Sequence, residues 1–142
     1  NLLEKYPGGF LHRKGAAKAD IPLVPLAGSR DSLSYLLEPK VGIKDALYSI
    51  AHGAGRKYDR SSMHGRIRNQ KSDHKRLQRT SFGGHVVCED KQLLVEEAPQ
   101  AYKNAEHVLR DLEDFNLAGS IASLQPMVTF KKAVTDRERK RS

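Results

Sequence analysis

The chain has 142 residues, 38% of them hydrophobic and 30% charged, with a formal net charge of +8. That length suits one ordinary domain, and the apolar fraction is too high for an intrinsically disordered chain. No apolar run approaches the roughly 18 residues of a membrane helix, residues 1–5 lack the layout of a signal peptide, and the single cysteine, Cys88, rules out an internal disulfide framework and fits a reducing, cytoplasmic compartment.

In chain order, Gly8-Gly9 reads as a turn and Phe10-Leu11-His12-Arg13 as a short strand. Pro22, Pro25 and Gly28 predict an irregular stretch. Ser34-Tyr35-Leu36-Leu37 reads as a strand stopped by Pro39. Ile43, Ala46, Leu47 and Ile50 fall at the i, i+3, i+4, i+7 spacing of one helix face, which predicts a helix ending near His52-Gly53-Ala54-Gly55. A basic stretch follows, helical in pieces around Gly65. Val86-Val87-Cys88 and Leu93-Leu94-Val95 read as strands joined by the charged turn Glu89–Gln92. Asn104 is placed to cap a helix running to about Phe115, with Val108, Leu109, Leu112 and Phe115 on one face and Gly119 ending it. In a last alternating strand Val128 and Phe130 face one way, Met127, Thr129 and Lys131 the other. The sum is an α+β fold of short, mostly antiparallel strands with flanking helices.

The charge is localised. Between Gly53 and Thr80 stand nine Lys or Arg against two Asp, and residues 131–142 add six basic and two acidic side chains. Such a concentration is the electrostatic footprint of a polyanionic partner, although a solvated basic helix has the same composition.

Local motifs are individually ambiguous. His52 stands in Ala51-His52-Gly53-Ala54-Gly55-Arg56, where small residues let the backbone approach an anion and an imidazole is a competent neutral-pH nucleophile. Read locally, a histidine at a helix C-terminus accounts for the string better. Glu96-Glu97-Ala98-Pro99-Gln100-Ala101-Tyr102-Lys103 either presents Tyr102 to a ligand or merely connects a strand to a helix. His12-Arg13-Lys14-Gly15-Ala16 reads equally as a phosphate contact or a solvated strand end. Lys131 ends a strand, where lysines usually face solvent. His64, His74, His85, His107 and Cys88 show no metal-ligand spacing, and His64 and His74 are expected to face solvent.

Taken together and in this order, these strings resemble one family, the RtcB-type RNA-splicing ligases, also called 3′-phosphate RNA ligases. The resemblance rests on His12-Arg13-Lys14-Gly15-Ala16, Gly28-Ser29 with Ser34-Tyr35, His52-Gly53-Ala54-Gly55-Arg56, Glu97-Ala98-Pro99 with Ala101-Tyr102-Lys103, and Pro126 with Lys131. It covers nearly the whole chain and implies a part of the larger RtcB-like fold. The ligase region is expected over residues 1–132, with a basic, flexible tail over 133–142.

The resemblance also implies an activity: joining RNA 2′,3′-cyclic phosphate or 3′-phosphate ends to 5′-hydroxyl ends, with GTP and Mn2+. It implies that His52 attacks the α-phosphorus of GTP and carries GMP as a phosphoramidate. Asn1, Ala27, Gly28, Ser29, Arg30, Ser34, Gly53, Ala54, Gly55, Tyr102 and Lys131 are the implied nucleotide contacts, Tyr102 against the guanine or ribose and Lys131 on the guanine. Arg56, Lys57, Arg60, Arg66 and Arg68 are the expected RNA contacts. The family's manganese ligands lie upstream of the matching residues, so no metal ligand is expected here. The chain, which does not begin with Met, is expected to be the C-terminal portion of its protein, inactive alone and partnered by the N-terminal part. Departures from the family pattern are Lys132 after the terminal lysine, the Ala27–Asp31 loop, and Lys57-Tyr58-Asp59-Arg60 after the HGAGR string. The charged tail and the Ala27–Asp31 loop point to a divergent, release-factor-coupled branch, whereas the change after HGAGR bears on the nearby phosphate contacts. The alternative is a non-catalytic RNA- or ribosome-binding module on the same scaffold.

Overall fold

A computed structural model describes residues 2–67 and 71–133. Its strands are β1 (Leu2–Tyr6), β2 (Gly9–Arg13), β3 (Ala16–Lys18), β4 (Val24–Leu26), β5 (Ser34–Pro39), β6 (Ser49–Ala51), β7 (His85–Cys88), β8 (Ala118–Leu124) and β9 (Val128–Lys132). The helices are α1 (Arg60–Arg66), α2 (Lys71–Leu77), α3 (Lys91–Glu96) and α4 (Ala105–Asp114), with single 3-10 turns at Lys44–Ala46 and Pro99–Ala101. This is the expected α+β class, with every strand pairing antiparallel except β7 with β9. No helix among the described residues is long and apolar enough to cross a membrane. Asn1, Arg68 and residues 134–142, and with them two expected contacts and the tail, lie outside the described residues.

The chain divides into two compact units. The first comprises Asn1–Ser29, Leu33–Gly55 and Asn104–Leu124. Its β1–β2 hairpin turns at Gly8, whose φ of +87° suits glycine. β3 pairs with β6, and β4, β5 and β8 form a three-stranded sheet with β5 central. α4 begins at Asn104, whose side chain accepts from the Glu106 N–H at 2.9 Å. It buries Ala105, Leu109 and Leu112 in a core with Leu26, Leu37 and Ile50. Burial of each such aliphatic side chain stabilises the unit by about 1.5–3 kcal/mol.

Four expectations in this unit are corrected. Residues 43–50 are not a helix: after the 3-10 turn, Leu47 and Tyr48 both take left-handed backbone angles, φ 51° and 50°. Their exit is held from outside the segment. Arg13, 5% exposed, donates from Nη2 to the Leu47 carbonyl at 3.1 Å and from Nε to Ser49 Oγ at 2.8 Å, and also pairs with Glu4. The helical spacing reported two real core positions, Ile43 and Ile50, but tertiary pairing of β6 with β3 set the backbone. Arg13 is thus a buried strut, neither phosphate contact nor solvated strand end. The Pro22–Gly28 stretch, read as irregular, contains β4, with Pro25 between two buried residues. Phe115 is 77% exposed and off the buried face of α4, which ends at Asp114; Asn116, at φ 52°, turns the chain, and Gly119 lies within β8.

The second unit comprises Arg30–Ser32, Arg56–Lys103 and Gln125–Ser142. Asp59 caps α1, accepting from the Ser62 N–H at 2.8 Å, and Met63 on that helix is fully buried. α1 and α2 realise the basic stretch as the expected helical pieces, Gly65 lying within α1. Leu93–Val95, read as a strand, lies in α3. Asp90 accepts from the Leu93 N–H at 3.0 Å and so starts a helix where the charged residues suggested a turn. Met63, Leu77, Val86, Leu94, Val95 and Ala101 form the core.

Candidate functional site

The expected site residues fall into two groups, one in each unit. In the first, His52 follows a strand rather than ending a helix, so neither a helix C-cap nor a helix dipole accounts for it. β6 ends at Ala51, and the next residues run beside the loop after β4. The Ala27 N–H donates to the His52 carbonyl at 3.0 Å, and the Ala54 N–H donates to the Ala27 carbonyl at 3.1 Å. This parallel bridge clamps His52 from both sides while its side chain stays exposed. A Cβ on Gly53 would lie 3.3 Å from the Ala27 carbonyl oxygen, so the close approach favours glycine. Gly55 has φ +71° and turns the chain away. The Gly28 N–H donates to Ser34 Oγ at 3.0 Å, which ties the 27–29 loop to the start of β5. The structure therefore gathers His52, Gly53, Ala54, Ala27, Gly28 and Ser34 on one backbone-defined surface.

In the second unit the organising residue is Glu97, whose importance the sequence did not reveal. Its side chain is 8% exposed. It accepts from the Tyr102 hydroxyl, from Arg56 Nη1 at 3.2 Å, from Lys131 Nζ at 3.3 Å and from Arg60 Nε at 3.4 Å. Burial opposes its negative charge, but the Tyr102 hydroxyl and the Lys131 and Arg56 cations outweigh that, holding the carboxyl below the ordinary glutamate value. Burial, reinforced by Glu97, pushes the Tyr102 phenol up, so Tyr102 remains a donor. Arg56 also donates to the carbonyls of Glu96 at 2.8 Å and Tyr58 at 2.9 Å, and lies 5.1 Å from the Tyr102 ring centroid. Lys131 is thus held on a carboxylate, contrary to the solvated strand end that its position suggests in isolation. Within the string, the signal was a carboxylate one residue before an Ala-Pro turn and close to many cations; a buried anion requires such partners.

Arg30 belongs to this unit, 6% exposed. Its Nη2 donates to the Leu94 carbonyl at 3.0 Å, while Nη1 is buried without a hydrogen-bond partner. Burial lowers its pKa, although Glu97 and Tyr102 favour its charge. A buried guanidinium N–H without a protein acceptor is unusual. Of the expected RNA contacts, Arg60 and Lys57 are exposed, and Arg66 stacks with its guanidinium carbon 3.7 Å from the Tyr58 centroid. Arg56 is largely engaged internally. His64 is exposed, as expected, with Nε2 3.0 Å from Glu96 Oε1. His74, expected to face solvent, instead has its Nε2 buried without a partner.

Among the described residues no three His, Cys, Asp or Glu side chains gather as a metal ion requires. Cys88 is buried and donates to the Asp90 carbonyl at 3.2 Å, and burial raises its thiol pKa. The described residues do not by themselves fit a manganese centre.

The two groups are thus an exposed histidine on a clamped, glycine-bounded loop and a buried carboxylate ringed by cations. Comparison with known proteins gives the class. The family model described as tRNA-splicing ligase RtcB matches residues 4–132. Among relatives, the RNA-splicing ligase RtcB2 of Escherichia coli is 46% identical over 125 residues, covering 88% of this chain and 32% of that protein. The tRNA-splicing ligase RtcB of Pyrococcus horikoshii is 30% identical over 137 residues, 86% of this chain and 15% of that protein. The RNA-splicing ligase RtcB homolog 1 of Entamoeba histolytica is 29% identical over 137 residues, 86% of this chain and 26% of that protein. The chain belongs to the RtcB family, and it spans about a third or less of the length of these relatives.

Proposed function

We propose that this chain supplies the nucleotide-accepting part of a GTP-dependent RNA ligase that joins RNA 2′,3′-cyclic phosphate or 3′-phosphate ends to 5′-hydroxyl ends. The observation that carries the reading is the His52 loop: an exposed imidazole whose flanking backbone is pinned to Ala27 by two hydrogen bonds, 3.0 and 3.1 Å long. In the proposed reaction an imidazole nitrogen of His52 attacks the α-phosphorus of GTP. An N–P bond forms, the P–O bond to pyrophosphate breaks, and GMP stays on the histidine. The RNA 3′-phosphate then takes GMP, and the 5′-hydroxyl oxygen displaces it as the new phosphodiester forms. Covalent transfer divides one difficult phosphoryl exchange into easier ones.

The roles are those that the resemblance to the family implies. Gly53, Ala54 and Gly55 let the nucleotide approach the backbone, and Ala27, Gly28, Ser29 and Ser34 line it. Arg30 brings its unpartnered N–H to an oxygen of the nucleotide. Tyr102 serves the guanine or ribose and Lys131 the guanine. Asn1 is a further nucleotide contact in this reading. Lys57, Arg60, Arg66 and Arg68 hold RNA phosphates, with Arg56 oriented by Glu97. Mn2+ would neutralise developing phosphate charge, through ligands other than the described residues. The protein is proposed to act in RNA repair or tRNA splicing in the cytoplasm.

The test is a chimera in which residues 4–132 replace the matching segment of the Escherichia coli RNA-splicing ligase RtcB2. With GTP and Mn2+ it joins a 3′-phosphate RNA to a 5′-hydroxyl RNA, and His52→Ala abolishes joining. A soluble, folded chimera that binds RNA but transfers no GMP refutes the ligase reading and favours a non-catalytic RNA-binding module.

A further inference from the structure

A second basic surface is lined by residues other than those assigned to the nucleotide. Within the second unit a cavity of about 350 Å³ is lined chiefly by Asp31, Arg76, Arg79, Thr80, Ser81 and Gln100. Its wall is fixed before any ligand arrives. Leu77, 4% exposed, anchors the end of α2 in the core, so Arg76 and Arg79 are presented from a held backbone, the Arg79 N–H donating to the Arg76 carbonyl at 3.2 Å. The adjoining loop closes on itself. The Thr80 N–H donates to the Gly84 carbonyl at 3.1 Å, and Thr80 Oγ1 accepts from the Gly84 N–H at 2.9 Å. No side chain fits at Gly84, where a Cβ would lie 2.7 Å from the Pro126 carbonyl oxygen.

The charges favour an anion. Asp31, the acidic group in the lining, accepts at Oδ1 from the Ser81 N–H at 2.6 Å and from Ser81 Oγ at 2.8 Å, and so serves to hold the loop. Arg79 Nη1 lies 2.8 Å from His85 Nε2, an imidazole rather than a carboxylate. Arg76 reaches Asp73 at a loose 3.5 Å and is 71% exposed. Two guanidinium groups therefore border a cavity with room for a phosphate and a sugar. Its lining contains no aromatic ring on which a base would stack. That composition suits a nucleic-acid backbone rather than a free nucleobase.

We propose that this cavity is a subsite for the sugar-phosphate backbone of single-stranded RNA, with Arg76 and Arg79 on a phosphate and the Gln100 carboxamide on a ribose hydroxyl. The proposal rests on the RNA reading above but uses none of the residues assigned to GMP. The test is fluorescence anisotropy of a labelled single-stranded RNA against the full chain over a series of salt concentrations. Arg76→Ala/Arg79→Ala is expected to weaken binding about tenfold and to flatten the log–log salt dependence by about 0.7 for each phosphate that is no longer neutralised. Gln100→Glu, which puts a carboxylate at the cavity and carries the test should the double variant fail to fold, is expected to weaken binding as well. Arg110→Ala, on α4, leaves affinity and slope unchanged. If the wild-type chain binds RNA and the folded cavity variants match it in affinity and slope, the subsite is refuted while the RNA reading stands. If the wild-type chain binds no RNA, both fall.

Discussion

Glu97→Gln is the most informative single change in the second unit. It keeps the shape and an acceptor for the Tyr102 hydroxyl, but removes the charge that Arg56 and Lys131 approach at 3.2 and 3.3 Å. Removing one partner of a fully buried ion pair costs about 3–5 kcal/mol. Here the Arg56 and Lys131 side chains are 24% and 33% exposed, so water recovers part of the loss, and Arg60 at 66% exposure contributes little. A loss of about 1–3 kcal/mol follows. Urea unfolding followed by circular dichroism measures it, as a lower midpoint with an unchanged slope. The pH dependence supplies an independent check. The folded-state pKa of Glu97 is lowered, so its contribution is present above the ordinary glutamate range and fades as pH falls through that range to the lower folded value. Wild-type stability should fall in that acid window, and the Gln variant should lack that share of the fall. A Gln variant within about 0.5 kcal/mol of wild type at neutral pH, with the same acid profile, refutes the account of Glu97 as the charge that holds this cluster.

Other outcomes follow from the same geometry. Gly53→Ala pushes a methyl to 3.3 Å from the Ala27 carbonyl oxygen and should cost about 1 kcal/mol, while reducing GMP transfer in the chimera by more than that loss accounts for; equal rates would show that the clamp is not needed. Gly84→Ala meets two carbonyl oxygens at 2.7 and 2.8 Å and should destabilise by about 1–3 kcal/mol, read from the urea midpoint. Asp90→Ala removes the cap of α3 and should cost about 0.5–2 kcal/mol. Ile50→Ala, at 2% exposure, should cost about 2–5 kcal/mol and would confirm that β6 is buried through this residue.

Much of this molecule was legible because short-range rules govern those parts. Asn104 capped its helix, the Gly8 turn and β5 formed where turn residues and apolar runs placed them, and the basic stretch folded into two short helices. The failures share a cause. Ile43 and Ile50 are both core residues, and their spacing read as helical, but the Arg13 strut and the pairing of β6 with β3 chose a turn and a strand. Likewise Leu93–Val95 is apolar enough for a strand, and only the Asp90 cap chose the helix. β1, β3 and β8 carry no strong alternating pattern and exist through their partners. The candidate site was legible as strings, since His52, Tyr102 and Lys131 were all singled out. What joins them locally was not: Ala27 clamps the His52 loop with backbone atoms, and Glu97 collects its four partners from positions 5 to 41 residues away in sequence.

The central claim, that His52 carries GMP, is tested most directly by intact and tandem mass spectrometry of the chimera after incubation with GTP and Mn2+. The account predicts one acid-labile GMP adduct located on His52, absent from the His52→Ala variant, whose urea midpoint is unchanged because the side chain is exposed. An adduct on another residue, or one that persists in the His52→Ala variant, would contradict it.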